Sequence, residues 1–338
     1  MNFCFIPSEQ RASFYINFSK DANLLVPKLI ENHWHWTQGN EEFFSPFLPA
    51  PHRVVESLKT LFFNPLESVG SDIPEAKLTV IFGIKNCDLL ALKILDSVFL
   101  EGAFVEPFYA ERRAKTIIVA DDCTSCLPSC FCVAVGHTPF PEGIADLIVS
   151  HLPDGDLVAA GTEKGQAILT THAQAFQPAT PEQLKRQADQ RDAMQELLRA
   201  SLREQNIDLP DNLVDSLNQK WSNPVWDKIA ETCVECGACN FVCPSCHCFF
   251  LRHALSASGN PEQTRVWDSC LSENFSRVAG GANPNKSRQT RVRHRIERKF
   301  IAPFEAKEGY ACTGCGRCVD ACLGQLDIRK ILQEVADA

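Results

Sequence analysis

No apolar run in these 338 residues approaches the roughly 18 needed to cross a bilayer, and the longest strongly apolar stretch is Leu78 to Ile84. Met1 to Gln10 lack the basic start and continuous apolar segment of a secretory signal, so a reducing cytoplasm is the expected setting. Positive charge is scarce as well. Thirty-three Lys and Arg against 42 Asp and Glu leave a formal net charge of -9, which argues against nucleic acid as the main partner because phosphate affinity comes chiefly from basic residues. There is no G-x-G-x-x-G after a strand, no G-x4-G-K-[ST] and no H-E-x-x-H. Nothing therefore points to a dinucleotide, nucleotide or hydrolytic zinc site of the chain's own.

What the chain has in quantity is cysteine, 17 residues, most of them at short spacings that suit a metal better than disulfides in a reducing compartment. Cys233-Val-Glu-Cys236-Gly-Ala-Cys239-Asn-Phe-Val-Cys243-Pro244 has the C-x2-C-x2-C-x3-C-P spacing of ferredoxins, and Cys312-Thr-Gly-Cys315-Gly-Arg-Cys318-Val-Asp-Ala-Cys322 repeats it. Three thiolates two residues apart wrap one face of a [4Fe-4S] cubane, and the fourth must come from another segment. In two-cluster ferredoxins the last cysteine of each run serves the other cluster. One centre is thus expected to use Cys233, Cys236, Cys239 and Cys322, and the other Cys312, Cys315, Cys318 and Cys243. Structural zinc needs two C-x2-C pairs and no third cysteine two residues on. Cys243-Pro-Ser-Cys246-His247 fits a haem-attachment pattern, but Cys243 is already required by the ferredoxin spacing. Gly237, Gly314 and Gly316 are expected to let the backbone approach a cluster.

The remaining cysteines leave alternatives open. Cys87, Cys123, Cys126, Cys130 and Cys132 sit at expected strand ends or loops; four of them, Cys87, Cys123, Cys130 and Cys132, suffice for a third cluster, against the reading of small buried side chains. Cys246, Cys248 and Cys270 crowd the first motif as packing, as alternative ligands, or as part of a substrate-binding cluster in an iron–sulfur enzyme. Six Arg or Lys residues and His294 lie between Arg288 and Lys299, suited to offset cluster charge, to dock an acidic partner, or to form a solvated helix face.

The expected fold is α+β: an N-terminal α/β domain over 1–170, a helical connector over 171–225, and a largely helical two-cluster ferredoxin-type domain over 226–338 with a long helical insert between the motifs. Strands are expected at Leu78 to Ile84, Thr116 to Ala120 and Phe131 to Val135, and helices at Asp88 to Leu100, from Pro181 to about Arg203, and near Asn212 to Lys220. The first 75 residues, rich in Pro, Gly and aromatic punctuation, suggest no strand.

Several ordered segments resemble one family. They are Cys87-Asp88-Leu89-Leu90-Ala91-Leu92 with Asp96 and Leu100, Cys130-Phe131-Cys132, the first motif with its Cys243-Pro-Ser-Cys246-His-Cys248 tail, and Trp267-Asp268-Ser269-Cys270. Ala279-Gly280-Gly281 with Asn283-Pro284, Arg293-His294-Arg295 with Lys299-Phe300, and Gly314-Cys315-Gly316-Arg317-Cys318 complete the series. The family is that of the sulfhydrogenase beta subunit and the corresponding iron–sulfur subunit of anaerobic sulfite reductase. The resemblance implies a subunit passing electrons between a partner that binds flavin and handles NAD(P)H and a partner carrying a hydrogenase or sulfite reductase centre, and it favours the third cluster. Leu323, where proline is usual, and Ala282 and Asn285 depart from the pattern.

Overall fold

The structure is a computed structural model that describes residues 2–44, 49–69, 73–142, 144–255, 259–306 and 309–338. The strands are β1 (Cys4–Pro7), β2 (Asn23–Ile30), β3 (His33–Gln38), β4 (Leu66–Ser68), β5 (Thr79–Ile84), β6 (Thr116–Asp121), β7 (Leu147–Leu152), β8 (Gly155–Ala160), β9 (Gln177–Pro178), β10 (Phe249–Leu255) and β11 (Pro261–Trp267). The chain divides into two units that interleave, where consecutive domains were expected: one of residues 1–56, 73–128 and 136–200, the other of 57–72, 129–135 and 201–338.

The first unit is built on a sheet of order β3-β2-β5-β6-β7-β8-β1-β9, in which β2, β5, β6 and β7 run parallel and the rest pair antiparallel. Val80, Ile81, Phe82 and Ile84 of β5 are all buried, as a parallel strand covered on both faces requires. Its helices are α1 (Ser8–Ser19), α2 (Asn86–Phe99), α3 (Pro107–Ala114), α4 (Glu163–Thr171) and the first twenty residues of α5 (Pro181–Glu204). The start of α5 is a capping box, with Thr180 Oγ1 accepting from Gln183 N at 3.2 Å and Gln183 Oε1 accepting from Thr180 N at 2.9 Å. Helix α2 begins two residues before the expected Asp88, which lies in its first turn.

Strands do occur in the first 75 residues. Pro27 is tolerated in β2 because that strand pairs with β5 only over Asn23 to Leu25, and the β2–β3 turn places Glu31 and Asn32 at positive φ. Past the ends of β5 and β6 lies a buried ionic chain. Lys85 Nζ meets Asp121 at 2.6 Å, His151 bridges Asp121 and Asp156 at 3.3 and 2.8 Å, and Tyr15 donates to Asp156 at 3.0 Å.

The second unit has a helical core. Leu217 of α6 (Leu213–Gln219), Trp226 and Ile229 of α7 (Val225–Ala230), Ile296 of α8 (Arg288–Ile296), Phe300, and Leu332 and Val335 of α9 (Ile328–Asp337) pack together. The insert between the motifs is helical only in its second half. Its first half is the hairpin β10–β11, to which β4 adds antiparallel, and a buried Glu67–Arg265 ion pair ties β4 to β11. Residues Cys132 to Val135 form a 3-10 turn in place of the expected strand. Among the described residues no helix is long and apolar enough to cross a membrane.

Candidate iron–sulfur centres

Both cysteine motifs adopt one local conformation. Glu235 and Gly237 in the first, and Gly314 and Gly316 in the second, hold positive φ of 58°, 71°, 67° and 75°, and each motif then enters a single helical turn, Ala238–Phe241 or Arg317–Asp320. These left-handed steps curl each loop so that its first three cysteines face one space. Glu235 bears the cost of that conformation as a non-glycine residue and is held by Arg291 at 2.7 Å. Gly314 and Gly316 serve an unexpected purpose: a Cβ at Gly314 would lie 2.4 Å from Cys132 Cα, and one at Gly316 would lie 2.2 Å from Ser129 O. Segment 129–135 is thus seated on the second loop, where Phe131 N donates to Gly314 O at 2.8 Å.

Two cavities result. The first is lined by Cys233, Cys236, Cys239 and Cys322, the second by Cys312, Cys315 and Cys243, and Cys318 and Arg295 line both. The fourth cysteine of each run lies at the cavity of the other run. Apolar walls, Leu271, Val292 and Ile331 at the first and Phe131 at the second, surround the buried thiols, while Cys236 is exposed. Burial pushes the Cys239 and Cys312 thiols up, and Cys318 up to about 12, so an iron ligand must displace their protons. Among the described residues no three His, Cys, Asp or Glu side chains converge on a point suited to a single ion.

The charges around the cavities test whether an anionic cluster fits. Lys59, Arg295 and Lys299 are buried, and among the described residues none has a carboxylate in ion-pair contact. Arg295 donates to Asn240 Oδ1 at 2.9 Å and Cys239 O at 3.4 Å; Lys299 donates to Ser245 Oγ at 2.8 Å; Lys59 donates to Asn240 O at 3.3 Å and lies 3.9 Å from the Trp267 ring centroid. Burial draws the Lys59 ammonium down, opposed by the Cys246 and Cys243 thiols beside it. An unpaired buried cation costs several kcal/mol. Thiolate-bound clusters of net negative charge supply the missing counter-charge, so these residues fit such a group.

The buried part of the basic stretch suits the reading that it offsets cluster charge. Arg291, Arg295 and Lys299 recur every fourth residue on the buried side, with the π-turn Glu297–Ile301 carrying the last. Arg293 is held over Trp221, 4.4 Å from its ring centroid, and only Arg288 and Arg298 of the six are exposed. Lys59 and Asn240 were missed by sequence reasoning. Asn240 lies inside the first motif, accepts from Arg295, and donates to Ser269 Oγ at 2.9 Å and Cys270 Sγ at 3.1 Å. Cys246 Sγ donates to the same Asn240 Oδ1 at 3.8 Å, and none of Cys246, Cys248 and Cys270 lines either cavity.

The tentative third set is divided between the units. Cys87, in the first turn of α2, and Cys123, just past β6, belong to the first unit; Cys130 and Cys132 belong to the segment seated on the second motif loop. Cys123 lines a cavity of the first unit with Asp122, Phe140, His151 and Arg191, whose guanidinium grips Asp122 at 3.0 Å from two nitrogens.

Paired thiol-lined cavities with buried, uncompensated cations define an iron–sulfur electron-transfer protein of the dicluster type, and residues 232–326 match the family model of the 4Fe-4S dicluster domain. The chain is also 34% identical over 260 residues to sulfhydrogenase 2 subunit beta of Pyrococcus furiosus, an alignment spanning 76% of this chain and 74% of that protein. It belongs to the sulfhydrogenase beta-subunit family.

Proposed function

We propose that this chain, in a reducing compartment, relays electrons between a flavin-binding partner that handles NAD(P)H and a catalytic partner of hydrogenase or sulfite reductase type. The observation that carries the reading is the pair of thiol cavities sharing Arg295 and Cys318 as a common wall, which suits charge passed from one centre to the next. Cys233, Cys236, Cys239 and Cys322 hold one [4Fe-4S] cluster, and Cys312, Cys315, Cys318 and Cys243 the other. A cluster bound there takes up and releases one electron at a time. The chain's own residues orient the thiols, exclude water and place positive charge where negative charge accumulates. A third cluster on Cys87, Cys123, Cys130 and Cys132 would extend the relay.

The test uses the assembled complex. With Cys239→Ser in this chain, NAD(P)H should still reduce the flavin of the partner while flow to the terminal acceptor stops. Undiminished flow through a complex whose first centre is lost would overturn the relay.

A further inference from the structure

We infer that the chain meets a redox partner over the first cavity, on the face formed by Val234, Cys236 and Leu323 and rimmed by Lys286 and Arg288, and that this partner is a one-electron carrier protein with an acidic docking face. The inference rests on the relay function proposed above and adds the place and the charge of the contact.

The two cavities are not equivalent. Of the seventeen cysteines, Cys236 alone is exposed; at the second cavity Cys315 and Cys318 are buried, and Cys243 and Cys312 are half-buried. Electron tunnelling falls steeply with distance, so the centre with a ligand at the surface is the port. Exposed apolar side chains lie next to two ligands of the first cavity, Val234 two residues before Cys236 and Leu323 after Cys322. Val234 is 59% exposed and Leu323, where the ferredoxin motif has proline, is 76% exposed beside Cys322. Exposed apolar side chains beside a buried site mark a contact surface, and redox encounters need only a small one.

The rim is positive although the chain as a whole is negative. From Asn274 to Ile296 there is no Asp or Glu. Arg288 donates to Cys233 O at 3.2 Å, which fixes it at the edge of the first cavity. Arg291 pairs with Glu235 and donates to Lys286 O at 2.5 Å, which neutralises the one carboxylate within the motif and holds Lys286 beside it. Lys286 and Arg288 remain exposed. Such a rim steers an acidic partner and sets the on-rate. In the transfer itself one electron leaves the reduced carrier, which is oxidised by one, and enters the first centre, which is reduced by one; no bond forms or breaks.

The experiment mixes the anaerobically purified full chain, clusters in place, with a reduced acidic [2Fe-2S] ferredoxin in a stopped-flow instrument, with dithionite as the small donor. The ferredoxin rate should fall with added salt, and Lys286→Glu and Leu323→Asp should each lower it about tenfold while the dithionite rate is unchanged. Unchanged ferredoxin rates in both variants, with a slowed rate in Phe250→Asp on exposed β10, would move the port to the hairpin and overturn the inference. So would an acidic ferredoxin that does not react with a chain that dithionite reduces. If dithionite itself finds no reducible centre, the relay reading fails instead.

Discussion

Replacing Arg295 by Gln removes a buried positive charge that lines both cavities. The guanidinium favours the more negative, reduced state of each centre, so its loss should lower both potentials. A unit charge ~6 Å from a cluster, at an effective dielectric of ~20, interacts by about 2.8 kcal/mol, or about 120 mV for a one-electron couple. The glutamine dipole and some entering water reduce this to on the order of 100 mV. The assay is an EPR-monitored redox titration of the anaerobically purified variant, with iron counted to confirm that both centres are present. Arg295→Lys keeps the charge and should move the potentials by less than about a third as much, and it serves where the glutamine variant does not accumulate. A shift confined to one centre, or none with iron intact, would refute the placement of Arg295 between them.

Lys59→Met should lower the potential of the centre that includes Cys243 more than that of the other, because Lys59 lies beside Cys243 and Cys246; equal shifts in the same titration would contradict this. Gly314→Ala forces a Cβ against the Cys132 backbone at positive φ, and should cost ~2–4 kcal/mol in thermal unfolding and loosen iron retention; full stability would show that segment 129–135 yields freely. Burial pulls the His151 imidazole down, but the Asp156 and Asp121 carboxylates overcome this and hold it up at about 9. Its folded value is raised, so the stabilisation is full below about pH 6.5 and is lost as pH rises through about 9, on the order of 3 kcal/mol in all. Melting temperatures from pH 6 to 10 should show that decline in the native chain and lose it in His151→Gln; parallel curves would assign the slope to other groups.

The two cysteine runs that the structure gathers at its two cavities stood out in the sequence because the ferredoxin spacing lies within a few residues, whatever the surrounding fold. The strand β5, with its short apolar run, and α5, with Pro181 and its polar face, were legible for the same local reason. The hairpin was not. Phe249 to Leu255 is almost wholly exposed on both faces, so it lacks the alternation that identifies a half-buried strand. Strand β2 was hidden by Pro27, which is harmless only because of where its pairing with β5 stops. Lys59 reaches Asn240 across 181 residues of sequence, and no local pattern foretells such a contact. The interleaving of the two units has the same origin: segments 57–72 and 129–135 look like loops until their partners are seen.

The most direct test of the central claim is to count iron and acid-labile sulfide per chain after anaerobic purification and to record low-temperature EPR of the reduced protein. About eight iron atoms with two magnetically interacting [4Fe-4S] signals are predicted from the two motif sets, rising to about twelve where the third set is also filled. About four iron atoms, or eight giving two signals that do not interact, would contradict a pair of centres separated by a shared wall.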